Sequence, residues 1–506
     1  MRKKIYQVHR TLSLIIAVPV LLWAVSGFMH PLMTTLRPQV ATQALPPLAV
    51  DSAQLQTDLA TALRKNRIDS IACFRLVHID TTWFYQVQLH NKQEPVYLST
   101  INGRELTAGN WLYAQYLARQ FLEGPALSDT TAPPVAVAEQ ESSLHDCCDA
   151  ATNCVLNGSK GSQVRDASML TAFNEEYKSI NRLLPVYRVS FDRADGIRVY
   201  VETTQDRFAF AMDNRRAVFD TVFRLLHTWD WLNFSGKARL IILFLLAAAA
   251  CFTTVLGLYI FFTTKSKKVK GNGRVSARRY HRYTALVAAL FTLLWTFSGA
   301  WHALAKWKDD TRDRYFSRNS FRSDSLYLPF SALQQAVGSP LTNISPVKME
   351  DGAYWQVYTK DTPVIRYLRM RDLALLPQGE QRYAAYLATL FSGNPPQAIR
   401  EITPVTRFTD EYNFTDKRLP VWKVGYDVQR RERYYVETRS GRLSVRVDDA
   451  DLPEGYSFAL FHKHHFMDWG GKAARDYSTM IWALAQVVMV IAGLYLYFRI
   501  RSRAKI

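Results

Sequence analysis

Four apolar runs, at about 11–33, 238–262, 283–304 and 478–498, constrain this chain more than any other feature. Each is close to the ~20 residues that cross ~30 Å of hydrocarbon as a helix. The stretch LIILFLLAAAACFTTVLGLYIFF, 240–262, is too long and too uniformly apolar for a buried helix of a soluble protein. The mean hydropathy of the whole chain is nevertheless only −0.13. Two long polar connections, about 34–237 and 305–477, account for that balance. The expectation is a four-span membrane protein with two large domains outside the bilayer.

Charge sets the orientation. The first ten residues carry Arg2, Lys3, Lys4 and Arg10. The loop 263–282 carries Lys265, Lys267, Lys268, Lys270, Arg274, Arg278, Arg279 and Arg282, and the tail 499–506 carries Arg499, Arg501, Arg503 and Lys505. These sixteen cations, with no acidic residue among them, leave only +3 of the net +19 for the rest of the chain. That is the positive-inside pattern, so both termini and the middle loop read as cytoplasmic. Nucleic-acid binding is not needed to explain the charge. The connections 34–237 and 305–477 then lie on the outer side, periplasmic in a bacterium. A cleaved signal peptide does not explain the first run, because its pattern recurs at 281–304, where no signal peptide can stand.

That recurrence belongs to a duplication of the whole chain. His9 and His30 frame the first run and His281 and His302 the third, each pair 21 positions apart. Both copies start His-Arg and carry Trp, then Ser-Gly, then His at matching offsets. Tyr113-Ala-Gln-Tyr-Leu-Ala answers to Tyr383-Ala-Ala-Tyr-Leu-Ala, Leu184-Pro185-Val186 to Leu419-Pro420-Val421, and Val201-Glu202-Thr203 to Val436-Glu437-Thr438. Phe223 and His227 answer to Phe458 and His462, then Gly236-Lys237-Ala238 to Gly471-Lys472-Ala473. Both halves start inside, so they are parallel tandem repeats related by a pseudo-twofold axis along the membrane normal.

Each connection reads as α+β. In the first, a helix capped at Asp51 precedes strands IACFRLVHI, TWFYQVQLH and PVYLST, a helix near 109–122, and strands VYRVSFD and IRVYVETT. The second repeats this with SALQQAV, AYWQVYT, VIRYLRM, a helix near 380–391, VWKVGYD and RYYVETR. About 34 extra residues in the first half fall near 126–160 and read as an exposed loop. There Cys147, Cys148 and Cys154, with His145 and Asp146 beside them, offer a metal or redox site or a local disulfide with one spare thiol. Their spacing fits no standard zinc pattern. Cys73, on a strand, and Cys251, in a membrane helix, read as packing residues.

The histidines carry the chemistry. Twenty-one residues of helix rise about 31 Å and turn the second imidazole only about 60° from the first. The first and third helices therefore each offer one imidazole at each membrane face, on one side. His227 and His462 stand before the returning helices on the outer side. A lone histidine at a helix end is commonly an interfacial residue, but ionisable groups in membrane helices are rare and usually functional. Three matched pairs within an apolar bundle suit haem, which takes neutral imidazole as axial ligand and an apolar slot between helices. Arg10, Arg282, Lys237 and Lys472 stand near enough to the membrane surface to meet propionates. Zinc or copper transport would call for acidic residues or methionine clusters inside the helices, and the four runs have no acidic residues.

With its HR-x-L start, its W-x-x-SG-x-x-H ending at His30 and His302, and its His–Gly-Lys stretches, the chain resembles the PepSY-associated transmembrane proteins. The resemblance spans all but the Cys-containing insert. It implies haem b and, by likeness to ferrisiderophore reductases of the ferrioxamine-reductase type, reduction of a periplasmic iron(III) chelate. Some relatives add a cytoplasmic flavin or nicotinamide module. This chain has no Gly-rich dinucleotide fingerprint after a strand, so a quinol or a separate protein is the expected electron donor. The expected protein is an oxidoreductase of the bacterial inner membrane with two haems, one per face. His9 and His281 would hold the inner one. The outer pairing stays open among His30 with His302, or His30 with His227 and His302 with His462, with His464 and His465 in reach. The competing expectation is a PepSY-domain sensor, regulator or assembly factor without enzymatic activity.

Overall fold

A computed structural model describes residues 2–124, 162–235, 237–265, 273–307, 315–409, 411–413, 416 and 418–502. The expectations for Cys147, Cys148 and Cys154 lie outside the described residues. The chain divides into a helical unit, formed by 1–37, 215–310 and 449–506, and a sheet unit, formed by 38–214 and 311–448.

Among the described residues, four helices of the helical unit are long and apolar enough to cross a membrane. Numbered in chain order among the helices used below, they are α1 (Arg2–Met29), α5 (Ala238–Thr263), α6 (Gly273–Ala305) and α10 (Gly471–Ser502). Their strongest pairings close a ring, α1 to α5, α5 to α6, α6 to α10 and α10 to α1. Small residues fill the contacts, with Ala24, Ala250, Ala288 and Ala483 almost fully buried. Without a hydrophobic drive between helices in lipid, such residues let backbones approach closely enough for dispersion to hold them. Inside, Thr292 Oγ1 donates back to the Ala288 carbonyl of its own helix at 2.8 Å, and Gln486 Nε2 donates across to Thr292 Oγ1 at 3.1 Å.

Among the described residues the sheet unit holds sixteen strands. The first connection contributes β1 (Ser70–Ile71), β2 (Cys73–Ile79), β3 (Thr82–Gln88), β4 (Val96–Ser99), β5 (Val164–Leu170), β6 (Val186–Phe191), β7 (Arg198–Glu202) and β8 (Arg207–Met212). The second contributes β9 (Phe321–Arg322), β10 (Leu341–Met349), β11 (Gly352–Thr359), β12 (Arg366–Arg369), β13 (Ile399–Val405), β14 (Val421–Tyr426), β15 (Arg433–Glu437) and β16 (Arg442–Val447). Each connection builds one three-stranded and one four-stranded antiparallel meander, β2-β3-β4 with β5-β6-β7-β8, and β10-β11-β12 with β13-β14-β15-β16. Helix α3 (Gly109–Glu123) packs its Tyr113, Leu117 and Phe121 face on the first four-stranded sheet, and α8 (Gly379–Ser392) packs Tyr383 and Leu387 on the second. The peptides before Pro185 and Pro420 are both cis.

One core joins the two connections. Phe74, Tyr85 and Leu98 of the first three-stranded sheet share a buried cluster with Ile344, Trp355 and Leu368 of the second. Helices α2 (Leu59–Lys65) and α7 (Phe330–Val337) cover it, and β1 pairs with β9. A buried charge cluster joins them again. Arg207 contacts both Glu202, at 3.2 Å, and Glu437, while Arg418 reaches Glu437 at 3.2 Å and Glu202 at 3.8 Å. Burial alone would push the Glu202 carboxyl up, but Arg207, Arg418 and Arg442 outweigh it and hold it below its ordinary value.

Three differences from the sequence reading stand out. Asp51 caps only a 3₁₀ turn, Ser52–Gln54, and the helix starts later, where Asp58 accepts from the Thr61 amide at 3.0 Å. Strands β5, β8, β9, β10, β13 and β16 add to those expected. Two of them hide behind a proline, Pro346 in β10 and Pro404 in β13, which edge strands of these meanders tolerate. Residues 215–237 and 449–477, expected within the outer domains, group instead with the membrane-length helices.

Candidate functional site

The histidines gather at the two ends of the helical unit. At one end, His9 of α1 and His281 of α6 are near enough to interact electrostatically. Each lies against a glycine of a returning helix. A Cβ built on Gly257 of α5 would sit 3.1 Å from His9 Nε2, and one on Gly493 of α10 would sit 3.0 Å from His281 Cε1. The two imidazoles thus occupy matched niches that any larger residue would narrow. His281 Nδ1 is buried with no hydrogen-bond partner.

At the other end, four of the expected residues come together. His227 closes α4 (Asn214–His227), and His462 ends a π-helical turn, Phe458–His462, after α9 (Leu452–Ser457). Their ring centroids are 6.1 Å apart with planes at 79°. His30 and His302 are close enough to His462 to interact with it electrostatically. Each ring is oriented by an aromatic neighbour or a polar partner. Phe223 stacks on His227 at 4.9 Å, Phe458 stacks on His462 at 4.9 Å, and Phe458 also stacks on His302 at 4.4 Å. His227 Nδ1 is hydrogen-bonded to Ser26 Oγ at 2.9 Å, and Trp23 Nε1 donates to the His227 carbonyl at 3.1 Å. His302 Nδ1 faces Glu454 Oε1 at 2.5 Å, and Lys463 Nζ donates to His30 Nε2 at 2.8 Å.

His227 and His302 therefore each have Nδ1 engaged, which fixes ring orientation and leaves Nε2 as the remaining nitrogen for a ligand or metal. His30 is different, since its Nε2 already accepts from Lys463. In His462 the buried Nδ1 has no partner.

Trp229 stands two residues after His227 and His464 two after His462, and both adopt a left-handed backbone, at φ 52° and 56°. Trp229 stacks on Trp23 at 5.6 Å, and His464 on Trp295 at 5.2 Å. His464 is fully buried, with Nδ1 hydrogen-bonded to Ser478 Oγ at 3.0 Å. This packing sets it apart from the four-histidine group. His465 instead lies 3.4 Å from Asp468.

The expected cationic contacts are dispersed. Arg282 caps the end of α5, donating to the Phe261 carbonyl at 2.9 Å and the Thr264 carbonyl at 2.8 Å. Lys237 donates to the Trp307 carbonyl at 3.2 Å and lies over its ring. Arg10 and Lys472 are exposed. Glu454 and Lys463, which touch the histidines, were not singled out in the sequence. Lys463 next to His462 was the one visible signal, a lysine inside the run HKHH. Among the described residues no group of three or more His, Cys, Asp or Glu side chains forms a metal-holding cluster.

Four membrane-length helices, a two-ended set of histidines and an α+β unit define an integral membrane protein with a paired sheet domain. The family model of the PepSY-associated TM region matches residues 6–361, and the chain belongs to that family. Comparison with the curated proteins gives no match.

Proposed function

We propose that this is a haem b protein of the bacterial inner membrane, built from two parallel tandem repeats. It passes electrons outward to reduce a ferric siderophore or similar iron(III) chelate in the periplasm. One observation carries the reading: imidazoles are paired at both ends of one apolar bundle. A porphyrin supplies four ligands itself, so two imidazoles complete a site without a third protein ligand. His9 and His281, in their glycine niches, would hold one group. For the other, His227 and His462, whose ring centroids lie 6.1 Å apart, would be the pair. This pairing differs from both outer pairings weighed on sequence. Haem, when bound, supplies a one-electron carrier.

The residues around it do the rest. Ser26 and Glu454 hold imidazole Nδ1 atoms, and Phe223 and Phe458 fix the ring planes. The positive charge of Lys463 near the second site would favour an added electron there. Each ferric ion takes one electron. A quinol, or a separate reductase, would supply them, and a quinol giving up two electrons would serve two ferric ions and release two protons. Fe(II) binds hard oxygen donors more weakly than Fe(III), so reduction would release iron for uptake.

The sequence reading of PepSY modules as regulatory supports a second possibility, a sensor or assembly factor. Stoichiometry separates the two. The purified protein, reduced and mixed with a ferric hydroxamate and a ferrous trap, should yield one trapped Fe(II) per electron delivered. A reduced protein that transfers no electrons to ferric chelates would favour the sensor.

A further inference from the structure

Helix α4 is inverted relative to a helix that meets water. Its exposed positions are Asn214, Arg215, Val218, Thr221, Val222 and Leu225, at helical spacing. Val218 is 66% exposed, Val222 41% and Leu225 54%. Its other charged residues point inward. Arg224 pairs with Asp220 at 3.1 Å and Asp230 at 3.5 Å, and Arg216 donates to the Met33 carbonyl. An amphipathic helix on a soluble domain does the opposite, burying its apolar stripe and presenting its charges.

The corresponding segment of the second half shows the same inversion. Across 452–462 the exposed positions are Pro453, Tyr456 and Leu460, again one helical face. Glu454 turns in to His302, and Lys463 just beyond turns in to His30. Both segments lead within about ten residues into membrane-length helices whose outward surfaces are also apolar, with Leu245, Phe252, Leu484 and Val488 exposed. One inverted helix would be an isolated apolar patch. Two of them, at matching places and continuous with the bundle's apolar surface, share one solvent.

We propose that α4 and the segment 452–462 lie within the lipid leaflet, with Val218, Val222, Leu225, Tyr456 and Leu460 against acyl chains. The hydrocarbon boundary then lies beyond these segments instead of at the starts of α5 and α10. The four-histidine group and its partners Glu454 and Lys463 sit inside the low-dielectric layer, screened from water by these two short helices. Exposed apolar side chains cost nothing there, and the inward ion pairs are what charged groups in lipid require.

The test uses the full chain in phosphatidylcholine nanodiscs. The five cysteines are replaced by alanine, and a nitroxide is attached singly at V218C, V222C, L225C or L460C, with V364C on an exposed site of the sheet unit as the aqueous reference. Collisions with dissolved oxygen should exceed those with a water-soluble nickel chelate at the four sites, and the order should reverse at Val364. Nickel collisions at 218, 222 and 225 as frequent as at Val364 would overturn the proposal. Exclusion of both reagents, the mark of a protein partner or a second copy, would also overturn it. The unsubstituted protein gives an independent check. Irradiation with a diazirine-bearing phospholipid should label peptides covering 214–227 and 452–462, and absence of adducts on both would contradict the proposal.

Discussion

The two ends of the helical bundle treat their histidines differently. At the His9 and His281 end the two halves correspond closely, each imidazole meeting a glycine at nearly the same separation, 3.1 and 3.0 Å. At the other end equivalent residues have parted. Ser26 Oγ is bonded to His227 Nδ1, whereas its counterpart Ser298 Oγ and the matching His462 Nδ1 are both buried without a partner. Glu454 holds His302, but the corresponding position of α4 is Phe219. Lys463 reaches across to His30, where the first half has Thr228. Symmetry, in the proposed two-repeat reading, is kept where both copies do one job and lost where they face different tasks. In the proposed reading, electrons enter at the symmetric end and leave at the asymmetric one.

Removing one histidine at a time separates the two ends. His9→Ala or His281→Ala should lower haem from about two per chain to about one, and His462→Ala should lower it equally by emptying the other site. Pyridine haemochrome assay reads the ratio directly. If both sites survive either change, the two-ended assignment is wrong.

The next effect lies in the sheet unit, which joins the halves through charge. Glu437→Ala would remove one of the two buried carboxylates, Glu202 and Glu437, that Arg207 and Arg418 share, and breaking such a buried pair costs about 3–5 kcal/mol. Thermal unfolding should show a clear loss of stability with the haem ratio unchanged. The same cluster predicts an acid limit. The Glu202 carboxyl is held below its ordinary value, so its contribution is complete above the unfolded value, about 4.3. That contribution falls away as pH drops through the lower folded value. Unfolding followed below pH 5 should steepen, and Glu202→Gln should flatten that dependence.

Smaller effects test the ends themselves. Gly257→Ala places a methyl 3.1 Å from His9 Nε2, so the ring must give by a few tenths of an ångström. The expected result is a shifted midpoint potential at one site with haem content retained, and Gly493→Ala should shift the same site. Smallest of all, Ser26→Ala removes a hydrogen bond worth about 1 kcal/mol. Ser298→Ala, removing an unpartnered hydroxyl, should have no measurable effect on stability. Equal losses from the two serines would erase the asymmetry.

Much of this was legible in the sequence because membranes impose a strong pattern. The four spans, the six matched histidines and the paired modules follow from apolar length and from exact offsets such as Phe223 to His227 and Phe458 to His462. The contacts that differentiate the far end were not. Glu454 precedes His462 by eight residues and is 152 from its partner His302, so only the folded turn at 452–462 brings them together. Strands β10 and β13 hid behind Pro346 and Pro404, which a meander edge accepts and a central strand would not. The inversion of α4 was also concealed. Its charges and apolar residues alternate as in any amphipathic helix, and only the fold shows which face is outside.

Haem at both ends of this bundle would show in the reduced-minus-oxidised absorption spectrum of the purified protein. The expected spectrum has the α-band of bis-imidazole haem b, with an amplitude equal to about two haems per chain and two resolvable midpoint potentials. A spectrum with no haem b α-band, from protein that is folded and purified with haem supplied, would contradict it.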